Sequence, residues 1–262
     1  MNEQDNVLYE VADRVATITI NRPDRRNAFD PPTRRELIAR FAEAAADPDV
    51  WCLVLTGSGT KAFSAGGDLR SFDDAAKAGR RYQETPMEGA ERNLFETLLE
   101  VYKPTIAALN GPAVAGGCEL ALACDIRIAA KHTVLGLPES KRGMGANFGS
   151  VILPRLVPRA IAFDLLYTGR YIDAEEAARW GLVNRVVESD ELAETVRAYA
   201  AELVGNAPLT LRRYKEMMVK GWGQPVPSAL RLNVGPNPYL SEDRREGAAA
   251  FLEKRPPVWQ GR

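Results

Sequence analysis

Asn110-Gly111-Pro112-Ala113-Val114-Ala115-Gly116-Gly117-Cys118-Glu119-Leu120 stands between an apolar run, Pro104–Leu109, and a run of small and apolar residues ending at Ala123. The first run has the length of a buried strand. The second has helical spacing and opens at a glycine pair. The stretch therefore predicts a strand, a tight turn and a short helix over Ala115–Ala123. A helix opening near Gly116 presents unpaired backbone N–H groups and the positive end of its dipole. Such an end stabilises negative charge on an incoming oxygen. Glu119 lies three residues after Gly116, on the same face of the first turn. Its plainest role is to complement the dipole; its sharper role is to act as acid or base beside the polarised oxygen.

Upstream, Trp51–Thr56 reads as a short strand and leads into a second glycine-rich turn, Gly57-Ser58-Gly59 through Lys61-Ala62-Phe63-Ser64-Ala65-Gly66-Gly67-Asp68-Leu69. Neither glycine stretch has the spacing of a phosphate loop or a dinucleotide fingerprint. Taken alone, such turns are mostly tight connections. Downstream, Leu135-Gly136-Leu137-Pro138-Glu139 sets a second carboxylate just after a strand. Two carboxylates beside one oxyanion site can divide base and acid roles.

Further outward, Val7–Val11 and Val15–Ile20 read as a hairpin. Leu37, Ile38, Phe41, Ala44 and Ala45 recur at helical spacing up to Ala46, and Asp47-Pro48-Asp49 stops that helix. Residues 70–92 are polar and charged and read as an irregular segment beside the site, expected to close over a bound acyl group. Leu94–Tyr102 is predicted helical, and Asp125–Ala129 and Val134–Leu137 as strands. The first two thirds thus repeat a strand–strand–helix pattern. Beyond about Arg155 the spacing predicts helices over Arg159–Thr168, Ala174–Trp180, Glu191–Val204, Leu209–Lys220 and Asp243–Lys254, with one late strand, Val183–Val187. The fold class is α/β followed by a helical C-terminal region.

Composition narrows the function. The 262 residues include 45% hydrophobic and 26% charged, as in an ordinary globular chain. A net charge of −1 gives no reason to expect nucleic acid or an anionic membrane as partner. No segment is long and apolar enough for a membrane span, and the polar N-terminus does not read as a signal peptide. Three cysteines without a CxxC pair suit a reducing cytoplasm. With a single histidine, His132, no metal cluster is expected. Cys118 reads as a small buried thiol, His132 as an exposed loop residue, and Ser64 lacks the surroundings of a nucleophile elbow.

Phe63-Ser64-Ala65-Gly66-Gly67-Asp68-Leu69, then Lys103-Pro104-Thr105-Ile106-Ala107-Ala108-Leu109-Asn110-Gly111, then Gly116-Gly117-Cys118-Glu119-Leu120-Ala121-Leu122-Ala123-Cys124-Asp125-Ile126 together resemble the signature of the enoyl-CoA hydratase/isomerase (crotonase) family. Asn21-Arg22-Pro23 with Arg26-Asn27-Ala28, and Thr168-Gly169 with Ala174-Glu175-Glu176-Ala177 and Trp180-Gly181-Leu182-Val183, match further landmarks. The agreement runs from about Val7 to Phe251.

The resemblance implies a crotonase-like spiral of ββα units. Residues 1–200 would form the core with the acyl-CoA site, and residues 201–262 a helical region for trimerisation and CoA cover, assembled as a homotrimer or homohexamer. It implies an oxyanion hole from the backbone N–H groups of Ala65 and Gly116, with Glu119 and Glu139 around one water. Arg26 and Lys61 match positions near the CoA phosphates. Ala62, Gly67, Asp68 and Leu69 belong to the substrate loop. Phe251 and Lys254 resemble residues that cover the adenosine end, frequently from a neighbouring subunit. The pair of glutamates favours reversible hydration of a 2-enoyl-CoA. Isomerisation, decarboxylation, thioester hydrolysis or a specialised dehydration are alternatives, and the tail Phe251–Arg262 is similar to carnitinyl-CoA dehydratase-like members. No metal or redox cofactor is needed, because CoA is carried on the substrate. The chain departs from the family at Gly143-Met144-Gly145-Ala146-Asn147-Phe148-Gly149-Ser150, where a proline and a glycine are replaced and the run to Leu153 is one residue shorter. That departure leaves the acyl substrate open and bears on the placement of Glu139.

Overall fold

In the inner strands of the central sheet, side chains alternate between two apolar layers, as burial on both faces requires. Leu53, Leu55, Ala107, Leu109 and Ala129 enter the larger core. Cys52, Val54, Ile106, Ala108, Ile128 and Ala130 face the other way, onto Leu192, Val196 and Ala200 of a covering helix. The computed structural model describes residues 5–79 and 92–262.

The chain begins with β1 (Val7–Ala12), β2 (Val15–Ile20), α1 (Pro31–Ala46), β3 (Cys52–Gly57), α2 (Leu69–Lys77) and α3 (Leu94–Leu99). It continues through β4 (Thr105–Leu109), β5 (Ala113–Val114), α4 (Gly116–Ala123), β6 (Ile126–Ala130), β7 (Val134–Gly136), α5 (Asn147–Leu156) and α6 (Arg159–Thr168). It closes with β8 (Tyr171–Asp173), α7 (Ala174–Arg179), β9 (Arg185–Val187), α8 (Leu192–Val204), α9 (Pro208–Gly221), α10 (Val226–Ala229) and α11 (Glu242–Glu253). One sheet has the order β1-β2-β3-β4-β6-β9, antiparallel at β1–β2 and parallel elsewhere. A smaller sheet has the order β5-β7-β8. In the pairs β4–β5 and β6–β7 the first strand joins the large sheet and the second the small one; in β8–β9 the order is reversed. This is the spiral expected from the strand–strand–helix repeat.

Three helices escape the sequence pattern: α2, α5 and the single turn of α10. Residues 69–77 form α2 rather than an irregular segment, capped by the Asp68 carboxylate on the Arg70 N–H at 3.1 Å. The rest of the expected acyl-closing segment, residues 80–91, lies outside the described residues. Residues 147–156 form α5 despite Gly149 and an internal Pro154.

Arg22 joins the starts of two helices. Its Nη2 meets Asp30 Oδ2 at 3.0 Å and Asp68 Oδ2 at 3.2 Å, and Asp30 and Asp68 are the N-caps of α1 and α2. At the far end, Lys215 of α9 is buried and reaches Asp125 Oδ2 at 2.9 Å and the Lys103 carbonyl at 3.1 Å. This ties the helical region to the end of the sheet. Among the described residues no helix is long and apolar enough to cross a membrane.

Candidate active site

Helix α4 packs its first turn directly on the 64–66 turn, and only glycine permits the approach. A Cβ on Gly117 would lie 2.1 Å from the Ser64 carbonyl oxygen. A Cβ on Gly66, which has φ +83°, would lie 2.7 Å from the Gly116 nitrogen. Ala115 turns the chain from β5 into α4 with a positive φ of 53°, a sparsely populated conformation for a residue bearing a Cβ. Its own N–H donates to the Gly136 carbonyl at 2.9 Å and its carbonyl accepts from Glu119 N at 3.0 Å, which holds the turn. The two glycine-rich stretches read separately in the sequence thus form one surface.

That surface is the wall of a cavity of about 650 Å³, within the usual range for a small-molecule site. Arg26, Lys61, Ala62, Ala65, Gly67, Leu69, Gly116, Glu119 and Glu139 all line it. Asp68 does not. Its carboxylate is engaged by Arg22 and by the Arg70 N–H, so it shapes the loop and caps α2. Within one chain Phe251 and Lys254 do not reach the cavity either; they sit at the end of α11, with Phe251 83% exposed.

The structure corrects one assignment within the oxyanion pair. The Ala65 N–H donates to the Arg26 carbonyl at 3.0 Å and is not available to a ligand. The cause is local: Arg26 and Asn27 both adopt positive φ, 52° and 55°, and this hooks the chain back over the turn. One residue pair further on, Phe29 N–H donates to the Gly66 carbonyl at 2.9 Å and Asp68 N–H to the Phe29 carbonyl at 3.0 Å. Between them the Gly67 N–H has no acceptor among the described residues, and neither has the Gly116 N–H at the start of α4. Gly67 and Gly116 are two cavity-lining amides free to donate, one on each of the two packed turns.

Both glutamates are buried on the cavity wall, Glu119 at 5% and Glu139 at 6% exposure. Glu119 Oε1 accepts the Gly149 N–H at 2.7 Å. Glu139 sits on a 3-10 turn, Pro138–Arg142, just after β7, and its Oε2 is buried with no hydrogen-bond partner. Burial pushes the Glu119 carboxyl up to about 7; the Gly149 N–H opposes this and the nearby Glu139 adds to it. The helix dipole therefore does not keep Glu119 strongly ionised, as its place on α4 suggests; desolvation outweighs it. Burial also raises the Glu139 carboxyl, opposed by a backbone hydrogen bond and by Arg142. The departing segment 143–150 does not displace either acid. Met144, Gly145, Asn147 and Phe148 line the cavity, and Gly149 supplies the N–H that holds Glu119.

Residues with no motif to mark them also face the cavity. Phe95 and Phe148 stack at 5.4 Å, and Arg34 of α1 lies over Phe29. Only the fold brings α1, α3 and α5 to one place.

The enoyl-CoA hydratase/isomerase family model matches residues 10–262. The chain belongs to the enoyl-CoA hydratase/isomerase family. It is 38% identical over 258 residues to an (E)-benzylidenesuccinyl-CoA hydratase of Thauera aromatica, covering 97% of this chain and 99% of that protein. It is 42% identical to a carnitinyl-CoA dehydratase of Citrobacter koseri, covering 95% of each. A crystal structure of an enoyl-CoA hydratase from Mycobacterium tuberculosis H37Rv superposes with a TM-score of 0.87 at 34% identity, over 99% of this chain and 100% of that one. The fold is that of the crotonases, and the protein is an enzyme of the family's acyl-CoA hydratase/dehydratase type.

Proposed function

We propose that the enzyme adds water reversibly to a 2-enoyl-CoA thioester. The observation that carries the reading is the pairing of two buried carboxyls, Glu119 and Glu139, with two free amides, Gly67 and Gly116, around one cavity. The thioester oxygen accepts from the Gly67 and Gly116 N–H groups. Each donor to a developing oxyanion is worth about 3–4 kcal/mol in comparable sites. Glu119, ionised, takes a proton from water as the oxygen bonds to the β-carbon. Glu139, protonated, delivers a proton to the α-carbon as the enolate collapses. The elevated carboxyls suit this exchange: Glu119, at about 7, has both forms accessible near neutral pH, and burial raises Glu139 towards its protonated form.

CoA enters as part of the substrate, with Arg26 and Lys61 at its phosphates and Ala62, Ala65 and Leu69 along its length. Residues 201–262 form the contact of a homotrimer or homohexamer, in which Phe251 and Lys254 cover the CoA of a neighbouring subunit. The exposed Tyr239, Leu240, Phe251 and Leu252 support this; a monomer by light scattering at micromolar concentration would sink it. The three buried free thiols suit a reducing cytoplasm.

The same acids run in reverse eliminate water from a 3-hydroxyacyl-CoA, and the 42% identity to a carnitinyl-CoA dehydratase favours testing that direction too. Purified enzyme is mixed with crotonyl-CoA and the absorbance of the conjugated thioester is followed. Loss of absorbance to a hydration equilibrium supports the reading. Free CoA released without hydration would replace it with thioester hydrolysis.

A further inference from the structure

Arg34 of α1 lines the cavity, and its buried Nε has no hydrogen-bond partner. No carboxylate lies within ion-pair distance of it among the described residues, and its one contact of note is the Phe29 ring, 5.9 Å from Cζ to the ring centre. Arg40 and Arg212 also have a buried Nε without a partner, but neither lines the cavity, and the remaining inward-turned arginines are paired. Arg22 is paired with Asp30 and Asp68. The fully buried Arg127 donates to the carbonyls of Leu182, Ala121 and Cys124. Arg170 is paired with Asp164 and Glu176. Arg34 is half-buried, and an Nε held out of water without an acceptor is unfavourable; a ligand that supplies one removes that penalty.

The position of Arg34 identifies which part of the ligand this is. A Cβ on Gly116 would lie 2.8 Å from the end of the same Phe29 ring, so Arg34 lies across one aromatic side chain from the first residue of α4. Its charge also reaches Glu119, where it opposes the rise of that carboxyl. It therefore stands at the reacting end, whereas Arg26 and Lys61 supply cationic groups for the CoA phosphates. The same cavity has an apolar wall in Leu94 and the stacked Phe95 and Phe148, carried partly by α3, which packs on α1. We propose that Arg34 binds a carboxylate carried on the acyl group, and that the preferred substrates are acyl-CoA thioesters whose acyl chain has an apolar body and one acid substituent. Guanidinium and carboxylate match in planar, two-bonded geometry, which a lysine does not reproduce. The inference rests on the acyl-CoA reading of the cavity.

The test reads binding and needs no turnover. Isothermal calorimetry compares saturated thioesters of equal carbon count, butyryl-, pentanoyl- and hexanoyl-CoA against succinyl-, glutaryl- and adipoyl-CoA. At one or more chain lengths the acid-bearing thioester should bind about 10–100-fold more tightly, the worth of a charge-assisted hydrogen-bonded pair. Arg34→Met should bring that ratio towards one or invert it, and Arg34→Lys should restore part of it, with thermal melts confirming that the variants fold. The proposal is overturned if wild-type enzyme binds every uncharged thioester as tightly as its acid-bearing partner. It is also overturned if Arg34→Met weakens both series alike, which would make Arg34 a general CoA contact or a positioning residue for Glu119. If crotonyl-CoA is not hydrated but the binding ratio holds, the hydration reading falls and this one stands.

Discussion

Glu119 Oε1 accepts the backbone N–H of Gly149 at 2.7 Å, across 30 residues of chain. The acid stands on α4 and its holder on α5, so the angle between two packed helices sets where the carboxylate points. A Cβ on Gly149 would lie 2.9 Å from Leu137 Cδ1 and 3.4 Å from Glu119 Oε1. Bare backbone at this position is what lets α5 come close enough to donate.

Gly149→Ala should therefore misplace the acid while leaving the fold. We expect kcat for hydration to fall by roughly 10–100-fold, the scale on which a small misplacement acts, with thioester affinity little changed. Leu137→Val in the same chain makes room for the methyl and should recover part of the loss. Steady-state kinetics beside a thermal melt decides it, and a parental kcat in Gly149→Ala would show that the hydrogen bond has no bearing on turnover.

Glu119→Gln and Glu139→Gln should each lower turnover by about 10²–10⁴, as for a lost general acid or base. The double variant should fall far short of the product, because the two act on one water. Single-turnover rates with crotonyl-CoA provide the measurement. Parental hydration by Glu139→Gln would remove the two-acid mechanism and point to a one-acid isomerase or hydrolase.

The Glu119 carboxyl, pushed up to about 7 from a reference of 4.5, links activity and stability to pH with opposite signs. A base must be ionised, so kcat/KM should climb through the region near pH 7. Stability runs the other way. The folded protein holds this proton more tightly than the unfolded chain, so the contribution is full below the unfolded value and is lost as pH rises through the folded one. The loss is on the order of 3 kcal/mol. Urea midpoints at pH 5 and pH 8 should therefore drop more in wild type than in Glu119→Gln, whose amide does not titrate. Parallel profiles for the two proteins would contradict this.

Lys215→Met should weaken the fold and spare the chemistry. The substitution leaves Asp125 without its cation beneath α9, and the Lys103 carbonyl without its donor. Asp125 keeps some contact with solvent, so the expected loss is about 2–4 kcal/mol, below that of breaking a fully buried pair. It is read as a lower urea midpoint at unchanged slope, with kcat per folded enzyme intact. A fall in kcat without a change in midpoint would place Lys215 in the mechanism instead.

What the sequence made legible follows local physics. Helix α6 is read over its full length because Pro158 precedes it and Gly169, at φ +55°, ends it. Helix α2 carries apolar Leu69, Phe72, Ala75 and Ala76 at helical spacing with Asp68 as its cap, but this short run is lost in the charged stretch around it. Helix α5 was hidden by a glycine and a proline, residues that usually break helices; here tertiary contact with Glu119 and Leu137 outweighs propensity. The two acids were readable by type and spacing. The choice of Gly67 over Ala65 was not, because a run of small residues carries no sign of which amide is free. That choice is made by the carbonyl of Arg26, turned by a positive φ that no motif encodes.

Arg22, whose one guanidinium holds the caps of both α1 and α2, acts as a shared fulcrum. From that point α1 carries Arg34 and α2 starts at Leu69, and both side chains face the cavity. A tilt of either helix is a lever stroke on the other. The acyl pocket and the loop along which the thioester lies thus cannot be tuned separately: any substitution that resets the joint changes what is held and how it is threaded in the same motion.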